Sequence, residues 1–361
     1  MWKFKSKTEE PKPVETKNSS TENSPLFYAH EDHASLLPFF LTPVLIFVVL
    51  GLFFGVPFAL KMQAQTLANE GNHRQAVEKL EFALKFFPLQ RASFLAVLGK
   101  EQSALKNDEQ AQKYFEEILM ADPVNAEASK ELGLILAQSG SKERAFSLLE
   151  MSADKNDPAI LKNLAELSFE LKKYDSALNY SIALQNAGVN SSENLFRLGF
   201  SYQALNNFKE AKIALSVLIQ QYPKYPQAHA LMGKLLTEEK EFLSAAAEYK
   251  TELGLMASEH PELLKSLMQV CGQGADYYLG KKDKNNAMAI LEFGVNASSS
   301  SLSGTLAFDL ARIHSVLRNQ KQMFKYLSLA VQRNPELKPQ VRKEKYFSAY
   351  QKTPAFKKLV K

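Results

Sequence analysis

Few residues in this 361-residue chain have the types and spacing that could do chemistry. His30-Glu31-Asp32-His33 sets two imidazoles and two carboxylates side by side, the donor types a divalent metal takes. They lie in a polar tail with nothing apolar to fix their geometry, so no metal site is expected there. Cys271 is the only cysteine, which rules out an internal disulfide. No histidine or acid stands at motif spacing from it, and a small buried apolar role is expected. Gly272-Gln273-Gly274 follows directly, without the preceding strand that a nucleotide-binding turn needs, and reads as a helix irregularity. His73 falls in a polar elbow, and His229, His260 and His314 fall at helical positions; packing or surface roles are expected for all four. The sequence has no phosphate loop, no Gly-x-Ser-x-Gly elbow, no His-Glu-x-x-His and no paired-cysteine motif. Catalytic residues, metal ligands and cofactors are therefore not expected, and the chain reads as a non-enzyme.

Without a chemical centre, the elements and what they could hold become the question. Residues 1–35 carry five lysines against six acids, and residues 336–361 carry eight basic residues against two. Between them the two signs balance at 31 each. A nucleic-acid surface carries a basic excess along its binding face. Only the last 26 residues have one, so nucleic acid is not an expected partner of the chain's bulk.

Residues 1–35 are rich in Lys, Glu, Ser, Thr, Asn and Pro and read as a disordered polar tail. From Ala34 to Leu60 the chain runs 27 residues without a charge. Some twenty apolar residues suffice to cross the hydrocarbon, so residues 36–60 read as a single membrane-spanning helix, with the lipid bilayer as a partner. A buried core helix of that length would carry a polar stripe, and a signal peptide would have a shorter apolar core and a less acidic lead. Pro57 is expected to break the chain between this span and the next helix. The side of the membrane stays open. Lys61 and Arg74 follow the span while Glu31 and Asp32 precede it, but the tail lysines point the opposite way. A plasma or bacterial inner membrane is the expected location.

After the span, small residues recur. Ala76, Ala111, Ala145, Ala177, Ala211, Ala245 and Ala287 are spaced by 35, 34, 32, 34, 34 and 42 residues. A second series, Ala64, Gly99, Gly133, Ala165, Gly199, Gly233, Ala275 and Ala311, lies in the helix before each. A period of this length marks a solenoid of helix pairs. The small residues would let helices approach closely, and a larger side chain there would overpack, at about 1–3 kcal/mol. Four residues after the alanine stands a large one: Leu80, Phe115, Leu149, Leu215, Tyr249 and Leu291. Eight pairs are expected, over 57–90, 91–125, 126–157, 158–191, 192–225, 226–260, 261–299 and 302–335, the seventh with a lengthened connection. Residues 61–335 form the array. Residues 336–361 read as basic capping helices whose Val341, Tyr346, Phe347, Tyr350, Phe356 and Leu359 cover the last pair, with contact to anionic lipid as the alternative.

Leu198-Gly199, Tyr202, Ala211, Leu215, Leu218 and Pro223 resemble the tetratricopeptide repeat family nearly position by position, as do Leu98-Gly99, Ala111, Phe115, Ile118 and Pro123. The resemblance covers about 280 residues and implies an all-α, right-handed solenoid whose first helices line a concave groove for peptides or partner helices. Carried across, the groove side chains are Lys100, Ser103, Glu127, Lys130, Leu134, Lys162, Glu166, Phe169, Glu193, Phe196, Phe200, Lys234, Asp276, Phe308 and Arg312. Phe169, Phe196 and Phe200 would form an apolar patch if they face solvent, and core if they do not. Some members of the family clamp a carboxylate with five residues. Lys130, Asn163 and Arg197 suit three of those places and Asn163 and Arg197 are counted with the groove side chains, but Leu134 and Glu193 occupy the other two places, and Glu193 would repel the ligand, so this clamp is not expected. The resulting expectation is a membrane-anchored scaffold that takes a protein or peptide ligand in assembling a membrane-associated or envelope complex. Its alternatives are an accessory subunit of a membrane enzyme and, less favoured, a nucleic-acid binder through the basic C-terminus.

Overall fold

The computed structural model describes residues 37–152, 156–256 and 260–361, with side chains from Val44 on. The polar tail, with His30-Glu31-Asp32-His33, lies outside the described residues. Contacts divide the chain into two units, one ending at Ala59 and one running from Leu60 to Lys361.

The first described stretch is helical throughout. Helix α1 (Leu37–Leu50) passes through a π-turn at Gly51–Gly55 into α2 (Val56–Asn69). Its part from Val44 to Asn69 is long and apolar enough to cross a membrane, its most apolar 18 residues having a mean hydropathy of 2.4. The break expected at Pro57 does not occur. Proline has no N–H to donate, and its ring crowds the carbonyl four residues earlier. The wider π-turn just before it, closed by the Val56 N–H on the Gly51 carbonyl, takes up that misfit and keeps the helix going.

From Leu60 the chain is an all-helical solenoid, with no strand among the described residues. Eight hairpins follow one another. They are α2 with α3 (His73–Phe86), α4 (Arg91–Ala104) with α5 (Asp108–Ala121), α6 (Ala126–Ser139) with α7 (Lys142–Met151), and α8 (Pro158–Glu170) with α9 (Tyr174–Asn186). Then come α10 (Ser192–Ala204) with α11 (Phe208–Gln221), α12 (Ala228–Glu238) with α13 (Phe242–Leu255), α14 (Pro261–Gly280) with α15 (Lys284–Ala297), and α16 (Ser301–Val316) with α17 (Gln320–Arg333). From α3 onward each second helix packs on the first helix of the next hairpin, and the buried residues gather in three clusters along the array, over 64–98, 95–167 and 195–360.

The small residues meet large ones within their own hairpin. Ala76, Ala111, Ala145, Ala177, Ala211, Ala245 and Ala287 are fully buried. A Cβ at Gly99 would stand 2.5 Å from the Phe115 ring, one at Gly133 2.8 Å from Leu149, and one at Gly199 2.7 Å from Leu215. Gly233 faces the Tyr249 ring at 3.0 Å in the same way. The glycine thus receives the side chain four places after the alanine. Tyr202 is half-buried against the same core. The long gap in the seventh repeat is not a longer connection: its extra residues make α14 a 20-residue helix. Nor is Gly272-Gln273-Gly274 an irregularity. Helix α14 runs straight through it, and a Cβ at Gly274 would lie 2.4 Å from Ile290. Beside it Cys271 is buried, and burial pushes its thiol up to about 12.

The last residues close the array. After a turn at Pro335–Leu337 come α18 (Lys338–Lys343), a turn at Lys345–Phe347 and α19 (Pro354–Val360). Val341, Phe347, Phe356 and Val360 join the core of the final hairpins. Phe347 sits edge-on to Phe308 at 5.9 Å. Tyr350 and Leu359 pack half-buried against the same core, so the apolar cover departs from the sequence expectation only in adding Val360 and in leaving Tyr346 exposed.

Candidate protein-binding groove

The first helices α8 and α10 bring one set of the expected groove residues together. Ser191 caps α10, its hydroxyl accepting the Asn194 N–H at 3.2 Å, and Asp157 caps α8 by accepting the Ala159 N–H at 2.8 Å. With both helices started, Lys162, Glu166 and Phe169 of α8 and Phe196 and Arg197 of α10 line a single cleft of about 600 Å³. Glu170, Glu193 and Tyr225 complete its polar and aromatic walls.

The aromatic rings form a continuous cluster. Phe169 lies edge-on to Phe200 at 5.1 Å and to Phe196 at 6.3 Å. Tyr174 adds a ring against Phe200 at 5.6 Å, and Tyr225 one against Phe196 at 5.5 Å. Each of these rings is half-buried rather than core or fully exposed. Tyr174 and Tyr225 were not among the expected residues. They come from a second helix and from the loop before α12, and a pattern of first-helix positions cannot reach them.

Arg197 is 6% exposed at the base of this cleft, and its Nε has no hydrogen-bond partner. Burial pulls its pKa below the usual arginine range, against the opposing pull of Glu166 and Glu193. Glu193 is held below the usual carboxylate range by its own backbone N–H first and then by the Ser191 hydroxyl. A buried guanidinium under acids and rings favours a partner that brings both apolar surface and hydrogen-bond acceptors.

The remaining expected residues go elsewhere. Asn163 donates its side-chain N–H to the Ala159 carbonyl of its own helix at 2.8 Å. Lys130 stands 3.9 Å from Asp157, at the start of α8. Lys234 is exposed on α12 and does not line the cleft. Lys100 pairs with Glu127 at 2.5 Å across neighbouring first helices. Phe308 is 1% exposed under the C-terminal cap, so it belongs to the core and not to the groove, because the Phe347 ring covers it. Arg312 and Asp276 line a smaller cleft of about 220 Å³, where the Arg312 guanidinium holds Asp309 at 3.0 Å and lies over the Tyr346 ring. Burial raises the pKa of Asp309 there. The histidines take structural places: His73 meets Glu101 at 2.7 Å, and His229 lies between Glu248 and the Pro223 carbonyl. His314 stacks on Tyr326, and burial lowers its pKa.

Stacked helix hairpins with this small-to-large complementarity define an α-solenoid. Models of the tetratricopeptide repeat match residues 98–160 and 193–225, and the chain carries tetratricopeptide repeats there. Among solved structures, a tetratricopeptide repeat protein from Parabacteroides merdae is 14% identical, covering 76% of this chain and 98% of that one, with a TM-score of 0.38. The MamA protein is 17% identical over 46% of this chain and 92% of its own, with a TM-score of 0.39. YrrB, described as a repeat protein with an unusual peptide-binding site, is 14% identical over 51% and 92%, with a TM-score of 0.38. Superpositions this loose decide nothing about partners.

Proposed function

We propose that this chain is a membrane-anchored scaffold whose groove holds a protein or peptide partner, as part of a membrane-associated assembly. The observation that carries the reading is the half-buried cluster of Phe169, Tyr174, Phe196, Phe200 and Tyr225 beside a charged cleft. Rings left partly open in a concave site are the anchors that partners pack against. The anchor is the apolar helix up to Leu60. Tethering to the bilayer raises the effective concentration of any partner in the same membrane.

A photo-crosslinking residue in place of Phe196, in the full chain in its native membrane, tests the groove. A discrete protein adduct is expected, and Phe169→Ala on the same chain is expected to abolish it while leaving the helical circular dichroism unchanged. An adduct that survives Phe169→Ala, or no adduct at all, sinks the groove as the binding site. Protease digestion of sealed vesicles then fixes the side on which the array lies.

A further inference from the structure

The groove and the C-terminal cap leave one apolar feature without an assignment. Phe82, Phe86, Leu89, Met120 and Val124 are all large, apolar and exposed, with Leu89 at 78%, Met120 at 81% and Val124 at 76%. They are not scattered. Leu89 and Val124 each stand thirteen residues after their repeat alanine, Ala76 and Ala111, at the turn where one hairpin hands over to the next. Equivalent places in a solenoid lie along one edge. Later in the array the same place holds Asn190, Lys224, Ser300 and Glu336; in the third repeat the handover is shorter and Pro158 opens α8 there. The apolar edge is thus confined to the first two hairpins. The Phe82 and Phe86 ring centroids are 4.8 Å apart, and Arg91, just after the first turn, pairs with Glu117 of α5.

What covers it is indicated by Lys61. That residue is the first charge after 27 uncharged ones, so in a spanning helix its ammonium lies at headgroup level. Its Nζ donates to the Ser93 hydroxyl at 2.7 Å, four residues after Leu89. Lys79 likewise donates to Gln63 at 2.6 Å, tying α3 to the turn that follows Lys61. The start of α4 and the turn before it are therefore held at the charge that ends the apolar stretch. Phenylalanine, leucine, methionine and valine at that depth suit the boundary between headgroups and acyl chains.

We propose that this edge, Phe82, Phe86, Leu89, Met120 and Val124, lies in the interface of the bilayer that the apolar helix crosses. The first two hairpins thus rest on lipid and the later ones stand in water. The proposal rests on the membrane-anchor reading above.

Because the native thiol is buried, single cysteines can be labelled selectively. The full chain bearing Leu89→Cys, Val124→Cys or Lys224→Cys is labelled with an environment-sensitive dye. It is then reconstituted into vesicles of phosphatidylethanolamine and phosphatidylglycerol, with and without lipids brominated near the headgroup. The labels at 89 and 124 are expected to shift to the blue and to be quenched by bromine, and the label at 224 to do neither. Labels at 89 and 124 that behave like the one at 224 overturn the proposal, as does an oxidised Leu89→Cys dimer between copies that removes the quenching. Alkaline carbonate separates the two readings. A chain stripped from the vesicles defeats the anchor and this contact together, whereas a retained chain with labels in water defeats the contact alone.

Discussion

At the scale of single residues, the glycines separate two effects that have opposite signs. Alanine is a better helix former than glycine by up to about 1 kcal/mol. Gly254 in α13 has nothing within 4 Å of where a Cβ would stand, so Gly254→Ala is expected to raise stability by that amount. At Gly99 the same Cβ would sit 2.5 Å from the Phe115 ring, which is itself fully buried and has nowhere to turn. Overpacking of this kind costs about 1–3 kcal/mol, which outweighs the propensity gain, so Gly99→Ala is expected to destabilise. Phe115→Leu in the same chain makes room, and the double variant should lose less than the sum of the two single ones. Urea unfolding of the four variants checks both signs. A stabilised Gly99→Ala would show that the ring moves aside. The period and the small residue were legible in the sequence, because spacing alone carries them. The identity of the group each glycine receives was not, since that depends on which side of the helix faces its own hairpin and which the next. The same ambiguity of phase placed Phe308 in the groove when the cap in fact buries it.

At the scale of elements, the elbow inside each hairpin repeats more strictly than any side chain. One residue per elbow has a left-handed backbone: Gly71, Lys106, Gly140, Lys172, Asn206, Lys240, Lys282 and Arg318. In each, the next N–H reaches back to a carbonyl near the end of the first helix, as Glu241 does to Leu236 at 2.8 Å and Asn207 to Tyr202 at 2.8 Å. This closure satisfies carbonyls that the helix end leaves open. Glycine adopts it without penalty, while a residue with a Cβ pays about 1–2 kcal/mol. Lys240 is exposed at φ 63°, so Lys240→Gly is expected to raise the midpoint of thermal unfolding, whereas Gly140→Lys, at φ 86°, is expected to lower it. Calorimetry of the two variants checks the pair, and equal shifts of one sign would refute the backbone argument. Most of these elbows carry lysine, arginine or asparagine, so glycine punctuation marks only two of the eight, and the rest were visible in the sequence only as polar gaps. The start of α12 was hidden for a different reason. The buried Glu252 carboxylate, from α13, accepts the Gln227 and Ala230 N–H groups at 2.9 and 3.2 Å, a cap delivered from 22 and more residues away.

At the scale of the whole molecule, an array of repeats is stable only as far as its ends are covered, because each hairpin is supported by its neighbours alone. Here the C-terminal end carries two properties at once, an apolar inner face and a basic outer one. Val341, Phe347, Phe356 and Val360 sit in the core with α16 and α17, and Arg342 holds the chain end by donating to the Val360 carbonyl. Lys357 and Lys358 on α19 point to solvent. The two properties separate by substitution. Phe347→Ala removes a fully buried ring from against Phe308 and Phe356, a loss of about 3–5 kcal/mol for a large-to-small core change. Because contacts run only between neighbours, that loss should appear as faster amide exchange in α16 and α17, fading toward α10, and not as a uniform drop across the array. Lys357→Glu with Lys358→Glu reverses four units of charge at an exposed site, where substitutions usually move stability by less than about 0.5 kcal/mol. Exchange in α16 and α17 should then stay as it was. If the charge-reversed chain instead loosened those helices, the lysines would be part of what holds the end closed. If Phe347→Ala loosened every hairpin equally, the array would fold as one cooperative block, and the local support inferred from its contacts would be wrong.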